Sequence, residues 1–185
     1  MSRLTPIQVN GANSELKRGL KNHRLKLKEV PNFLHLLANS PASLRAYIRA
    51  DAALVRGQLT PRQRQQVALA VAEINGCSNS LSAHYDTGKS LGLTHHEMQL
   101  ARNATAADPK AETMLRFTQA VVLQRGEVSD DDFQALRKAG FTDAQIVEIV
   151  ANIALNIFSN YFNSVARTQA DFPLPAAGRT KTAHK

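Results

Sequence analysis

The sequence has a single cysteine, no tryptophan, and only 9 glycines and 7 prolines in 185 residues. One cysteine excludes an intramolecular disulfide and any zinc site assembled from several thiolates of one chain. So few breakers leave room for long uninterrupted helices. No apolar run approaches the roughly 20 residues that a membrane span requires. The opening MSRLTPIQVNGANSE contains no apolar stretch of the kind that forms a secretory signal. These absences make a soluble protein of a reducing compartment, the cytoplasm, the expectation, with no membrane partner.

The composition that is present, 43% hydrophobic and 21% charged, is that of a chain able to bury a core, and it excludes disorder as the general state. Basic residues outnumber acidic ones 23 to 15, and the excess is local. Lys17, Arg18, Lys21, Arg24, Lys26 and Lys28 form one cluster, and Arg179, Lys181 and Lys185 form another near the C-terminus. Without those nine, 14 basic residues face 15 acidic ones, so the body of the chain is close to neutral. The first cluster has no aromatic residue to stack on bases, while Leu16, Leu20 and Leu27 recur beside it at helical spacing. It reads as the solvated face of an amphipathic helix, and no nucleic-acid partner is expected. The second cluster reads as a solubilising tail.

Helix start signals recur along the body, most of them followed by a glycine stop. Ser40-Pro41, Thr60-Pro61 and Asp108-Pro109 each offer an N-cap followed by proline at the first helical position. Thr94 with Glu97 has the spacing of a capping box, Ser129 pairs with Asp132 in the same way, and Thr142 opens the longest apolar-periodic run. Gly57, Gly76, Gly92, Gly126 and Gly140 supply the stops. Further helices are expected over 14–27, 31–39 and between Cys77 and Leu91. No segment shows sustained period-2 alternation, so no strand is expected. The reading is an all-α fold of about nine helices. Its organisation is an N-terminal arm over 1–13, one domain over 14–174 and a basic flexible tail over 175–185.

The segment from Leu59 to Leu93 carries the chemistry. Helical spacing puts Ser80 and His84 on one face, with Cys77 a further turn back, just after Gly76. A cysteine at a helix start lies near unpaired backbone N–H groups and the positive end of the dipole, which favour a thiolate. An imidazole nearby can give or take a proton near neutral pH. Two blander readings stand beside this one: the cysteine as a small buried hydrophobe, and the histidine as a hydrogen-bonded structural residue. His95-His96 sit beside a helix start and point about 100° apart, which does not suit a metal pair. No metal or other cofactor is expected.

Glu73-Ile74-Asn75-Gly76-Cys77, Leu81-Ser82-Ala83-His84 and Gly92-Leu93-Thr94, preceded by a proline-led helix, resemble the carboxymuconolactone decarboxylase family, in particular its alkylhydroperoxidase D-like, peroxidase-related branch. Val30-Pro31-Asn32 with Ser40-Pro41, and Phe158-x-Asn160 with Asp171-x-Pro173, extend the likeness over residues 28 to 174. The resemblance implies an alkylhydroperoxidase D-like helical bundle. It also implies a peroxiredoxin-type antioxidant activity on organic hydroperoxides, and a homo-oligomer, trimeric or hexameric, with active sites between packed helices. The implied site residues are Cys77, His84, Ser80, Gln65 and Glu73.

Two departures alter the implied chemistry. In that branch the second cysteine of C-x-x-C attacks the peroxide and the first closes the disulfide; position 80 is serine here, and Cys77 holds the first position. The relay carboxylate twelve residues before the first cysteine is Gln65, whose amide cannot carry a proton. Glu73, the nearest carboxylate in sequence, lies two turns further along the helix. A serine hydroxyl does not reduce a hydroperoxide, so the surviving route uses one thiol: Cys77 becomes a sulfenic acid and an external thiol reduces it. His84 would then serve as proton donor or thiolate partner, with Ser80 and Gln65 holding a water. Two alternatives remain: a non-catalytic helical scaffold or small-ligand binder, and a carboxymuconolactone-decarboxylase-like acid–base enzyme using His84, Ser80, Glu73 and Gln65. A Ser80–His84 hydrolase pair lacks an evident orienting carboxylate. In the last long helix Glu148, Asn152, Asn156 and Asn160 form a stripe that is either solvent-facing or enclosed, for instance between subunits.

Overall fold

A computed structural model describes residues 1–7 and 30–173. Eight helices and no strand are present among the described residues: α1 (Asn32–Leu37), α2 (Pro41–Leu54), α3 (Pro61–Ile74), α4 (Ser78–Ser90), α5 (His95–Arg102), α6 (Pro109–Leu123), α7 (Asp130–Lys138) and α8 (Asp143–Ala166). The expected helix over 14–27, the basic cluster it carries and the basic tail lie outside the described residues.

Local chemistry accounts for the helix starts. Ser40, Thr60, Thr94, Asp108, Ser129 and Thr142 each accept, through the side chain, the backbone N–H three residues on. At Thr60, Thr94, Ser129 and Thr142 the third residue of the helix returns a bond to the cap, completing four capping boxes. Each cap stabilises its helix by about 1 kcal/mol.

Helix α3 is the hub, packed against α4, α5, α6 and α8. Val67, Leu69, Ala70, Val71 and Ala72 are sealed from solvent, so this helix is buried on every side over its middle turns. Its alanines let neighbours approach closely, and Met98, Met114, Leu115, Leu136, Ile149 and Ile153 fill the space around it. A second, smaller cluster joins α1 to α2 and α8 through Phe33, whose ring meets Tyr47 and Phe162 edge-on at 4.9 and 5.5 Å. Residues 3–7 lie across this end: Arg3 N–H donates to Ala166 O and Ile7 N–H to His35 O.

The polar stripe of α8 is enclosed within the chain itself. Asn152 and Asn160 are buried, and Asn75 Nδ2 donates to Asn160 Oδ1. The Glu148 carboxylate accepts the backbone N–H groups of Gln58 and Leu59 and so fixes the turn that leads into α3. A side chain on Gly57 would collide with that carboxylate, its Cβ falling 2.4 Å from Oε2. The outward side of α8 is apolar instead, with Val147, Val150, Phe158, Tyr161 and Val165 exposed.

Candidate active site

The site begins at the break between α3 and α4. Gly76 takes a left-handed φ of 61°, which lets the chain turn after Asn75. Cys77 N–H then donates to Ala72 O and Gly76 N–H to Glu73 O, the paired bonds of a Schellman ending. Cys77 becomes the N-cap of α4, but its sulfur caps no backbone N–H of the first turn. Cys77 is 5% exposed, and its sulfur lies 3.2 Å from Ser80 Oγ, to which the neutral thiol donates.

Ser80 is held from the other side by α8: Asn163 Nδ2 donates to Ser80 Oγ at 3.1 Å. The direction of this relay matters. Asn163 can only donate through its amide nitrogen, which leaves the Ser80 hydroxyl proton free to point at sulfur once the thiol is deprotonated. A charge-assisted bond of that kind is about twice as strong as a neutral one.

Ser80, His84 and Gln65 line one pocket of about 390 Å³, bounded by α1 to α4, α8 and the segment after α8. Gln65 Nε2 donates to the His84 backbone carbonyl at 2.6 Å and so fixes that turn of α4 against α3. Asn79 also has a structural task, donating to the carbonyls of Thr168 and Gln169. The segment it holds brings Asp171 and Phe172 to the pocket, where Asp171 Oδ1 accepts Asn32 N–H.

Two of the expected residues stand apart from this wall. Cys77 lies behind Ser80, one hydrogen bond from the pocket and not on its lining. Glu73 is turned the other way: its carboxylate accepts from Arg102 Nε at 2.7 Å, an ion pair in which the arginine side chain is 4% exposed. Glu73 therefore neutralises a buried cation of α5 and does not face the pocket.

Other residues join the site that the sequence reading did not single out. Asn163 is the most direct. It follows Asn160 by three and Asn156 by seven positions, so extending the amide stripe one turn would have found it. Tyr47, Asp51 and Arg64 face the pocket from α2 and α3. Burial, reinforced by the Asp51 charge, pushes the Tyr47 hydroxyl well above its usual value, so it stays protonated. Burial draws Arg64 below its usual value, opposed by the nearby charges of Asp51 and Glu148. Among the described residues no three His, Cys, Asp or Glu side chains converge as metal ligands.

Residues 41–122 match the model of the Carboxymuconolactone decarboxylase family. No curated protein matches the sequence. Among solved structures, an uncharacterized peroxidase-related protein from Silicibacter sp. TM1040 superposes with a TM-score of 0.77 at 22% identity, covering 91% of each chain. An alkylhydroperoxidase AhpD core, an uncharacterized peroxidase-related protein from Ralstonia eutropha JMP134, gives 0.75 at 27% identity and 85% of each chain. The debrominase Bmp8 gives 0.79 at 17% identity, over 92% of this chain and 93% of its own. These likenesses place the fold in the alkylhydroperoxidase D-like group of helical bundles.

Proposed function

We propose that the protein is a single-thiol hydroperoxide reductase of its family, with Cys77 as the reacting group and an external thiol as reductant. The observation that carries this reading is the Asn163–Ser80–Cys77 relay, with contacts of 3.1 and 3.2 Å, which ends on the only sulfur nucleophile of the chain. The Cys77 thiolate attacks the distal peroxide oxygen, the O–O bond breaks, and the leaving alkoxide takes a proton from the His84 imidazolium or from water. The sulfenic acid condenses with one external thiol, releasing water, and a second thiol frees Cys77 as the external disulfide departs. Because the sulfur lies behind the pocket wall, the Ser80 side chain must rotate to admit the peroxide, and turnover is expected to be slow. Peroxide consumption with a dithiol reductant tests the reading: Cys77→Ala is expected to fall to the uncatalysed rate, and equal rates would reject it.

A second reading is favoured by one observation, the absence of Cys77 from the lining of a well-formed pocket. In it the pocket binds a small organic molecule without redox turnover. Debrominase Bmp8, in a cysteine-to-alanine form, has been solved in complex with 2,3,4-tribromopyrrole. A small-molecule ligand is thus compatible with this fold. Acid–base chemistry on a carboxylated lactone is less well supported, since Glu73 is committed to Arg102 and does not line the pocket.

We also propose self-association through α8, as a trimer or hexamer, in the cytoplasm. Exposed Val147, Phe158, Tyr161 and Val165, together with Ala151 and Ala154, follow the alternating three- and four-residue spacing of a helix-packing seam.

A further inference from the structure

We propose that the pocket selects a neutral, hydrogen-bond-donating molecule with an aromatic body, its donor seated on Asn163 Oδ1. The inference deepens the reading above and rests on it for treating this pocket as the substrate site. Asn163 lines the pocket, is 7% exposed, and spends its amide nitrogen on Ser80 Oγ. Its side-chain oxygen is buried and has no hydrogen-bond partner. A buried acceptor left in that state destabilises the empty pocket, and a ligand O–H or N–H removes the cost.

Neighbouring amides add acceptors to the same helix. Asn152 Nδ2 donates to Glu148 O at 2.7 Å, and Asn156 Nδ2 to Asn152 O at 2.8 Å. Both line the pocket with one of two amide hydrogens engaged, and their oxygens can accept. Among these oxygens, Asn163 Oδ1 is the one that a ligand without a donor would leave buried and unpaired.

Charge sets the second criterion. Arg64 is the permanent cation of the lining, joined by His84 only when its ring is protonated; Asp51 and Asp171 line the pocket too, and Arg64 Nη1 is already committed to Leu59 O at 2.6 Å. A carboxylate entering the pocket meets no excess of positive charge. Size and shape set the third. Phe33, Tyr47, Phe172, Leu34, Leu91 and Leu155 supply the apolar walls. The volume of about 390 Å³ is more than twice the roughly 150 Å³ that holds one benzene ring, so a two-ring molecule fits. For a hydroperoxide the terminal O–H is itself the donor. Seated on Asn163, it brings the O–O bond beside the Ser80 hydroxyl that covers the Cys77 sulfur.

Isothermal titration at pH 7 with 2-naphthol, its methyl ether 2-methoxynaphthalene and 2-naphthoate tests all three criteria on the unaltered protein. The naphthol is expected to bind at least tenfold more tightly than the ether and more tightly than the carboxylate. In Asn163→Leu the preference over the ether should collapse towards unity. Equal or tighter binding of the ether, tightest binding of the carboxylate, or binding by none of the three would overturn the inference. Because no thiol is consumed, the same titration on Cys77→Ala separates the two ideas. Retained donor preference with an inert Cys77 would reject thiol catalysis and leave the ligand class standing. Peroxide turnover without donor preference would do the reverse.

Discussion

Residue 80 decides the chemistry at the smallest scale. Its side chain faces both the pocket and Cys77, whose sulfur is 3.2 Å from Ser80 Oγ. Ser80→Cys is therefore expected to place a thiol on the pocket wall within reach of a second. Oxidation should then remove two hydrogen masses as an internal disulfide forms, and peroxide consumption should rise above that of the unaltered chain. A variant that stays a free dithiol under peroxide would contradict this placement. Glu73 makes the opposite point. Its sequence position suggests a share in the chemistry, whereas its carboxylate neutralises Arg102. Removing one partner of a buried pair costs about 3–5 kcal/mol. Glu73→Ala should lose stability of that order in denaturant melts, while any activity of the fraction that folds is retained. An unchanged melt with lost activity would restore Glu73 to the site.

At the scale of elements, the sequence made the helix boundaries plain and left the side-chain traffic between helices obscure. Caps at Ser40, Thr60, Thr94, Asp108, Ser129 and Thr142 are local chemistry, fixed within three residues, and all six form. Which way Glu73 turns, or what Asn163 touches, depends on α5 and α8, which lie 29 and 83 residues from their contacts. The α8 stripe was visible as a pattern, but its burial against the rest of the chain followed only from packing. One cap carries a pH prediction. Thr94, through its backbone N–H and then its hydroxyl, holds the Glu97 carboxyl below its usual value; burial opposes this, and Arg62 adds to it. A carboxyl held low in the folded state contributes stability that is present above its unfolded value and lost as pH falls through the folded one. Stability should therefore fall with acidification from about pH 5 downwards. Glu97→Gln, which keeps an acceptor without the charge, should flatten that slope. A slope identical to that of the unaltered chain would contradict the assignment.

For the whole molecule, one face and one pocket remain to be explained by function. No helix among the described residues is long and apolar enough to cross a membrane, so the exposed seam of α8 is not a span. With Val147 68%, Tyr161 58% and Val165 66% exposed, packing against a second copy would remove that surface from water. Light scattering at micromolar concentration should give an oligomer mass for the unaltered chain and a lower mass for Tyr161→Asp. A monomer in the unaltered chain would reject self-association. The measurement that bears most directly on the central claim is sulfenic-acid trapping with dimedone after one equivalent of an aryl hydroperoxide, read by peptide mass spectrometry. The account predicts adduct at Cys77 in the folded protein, formed only when peroxide is present. Labelling that appears only after denaturation would show a sulfur sealed from the pocket and would contradict the account.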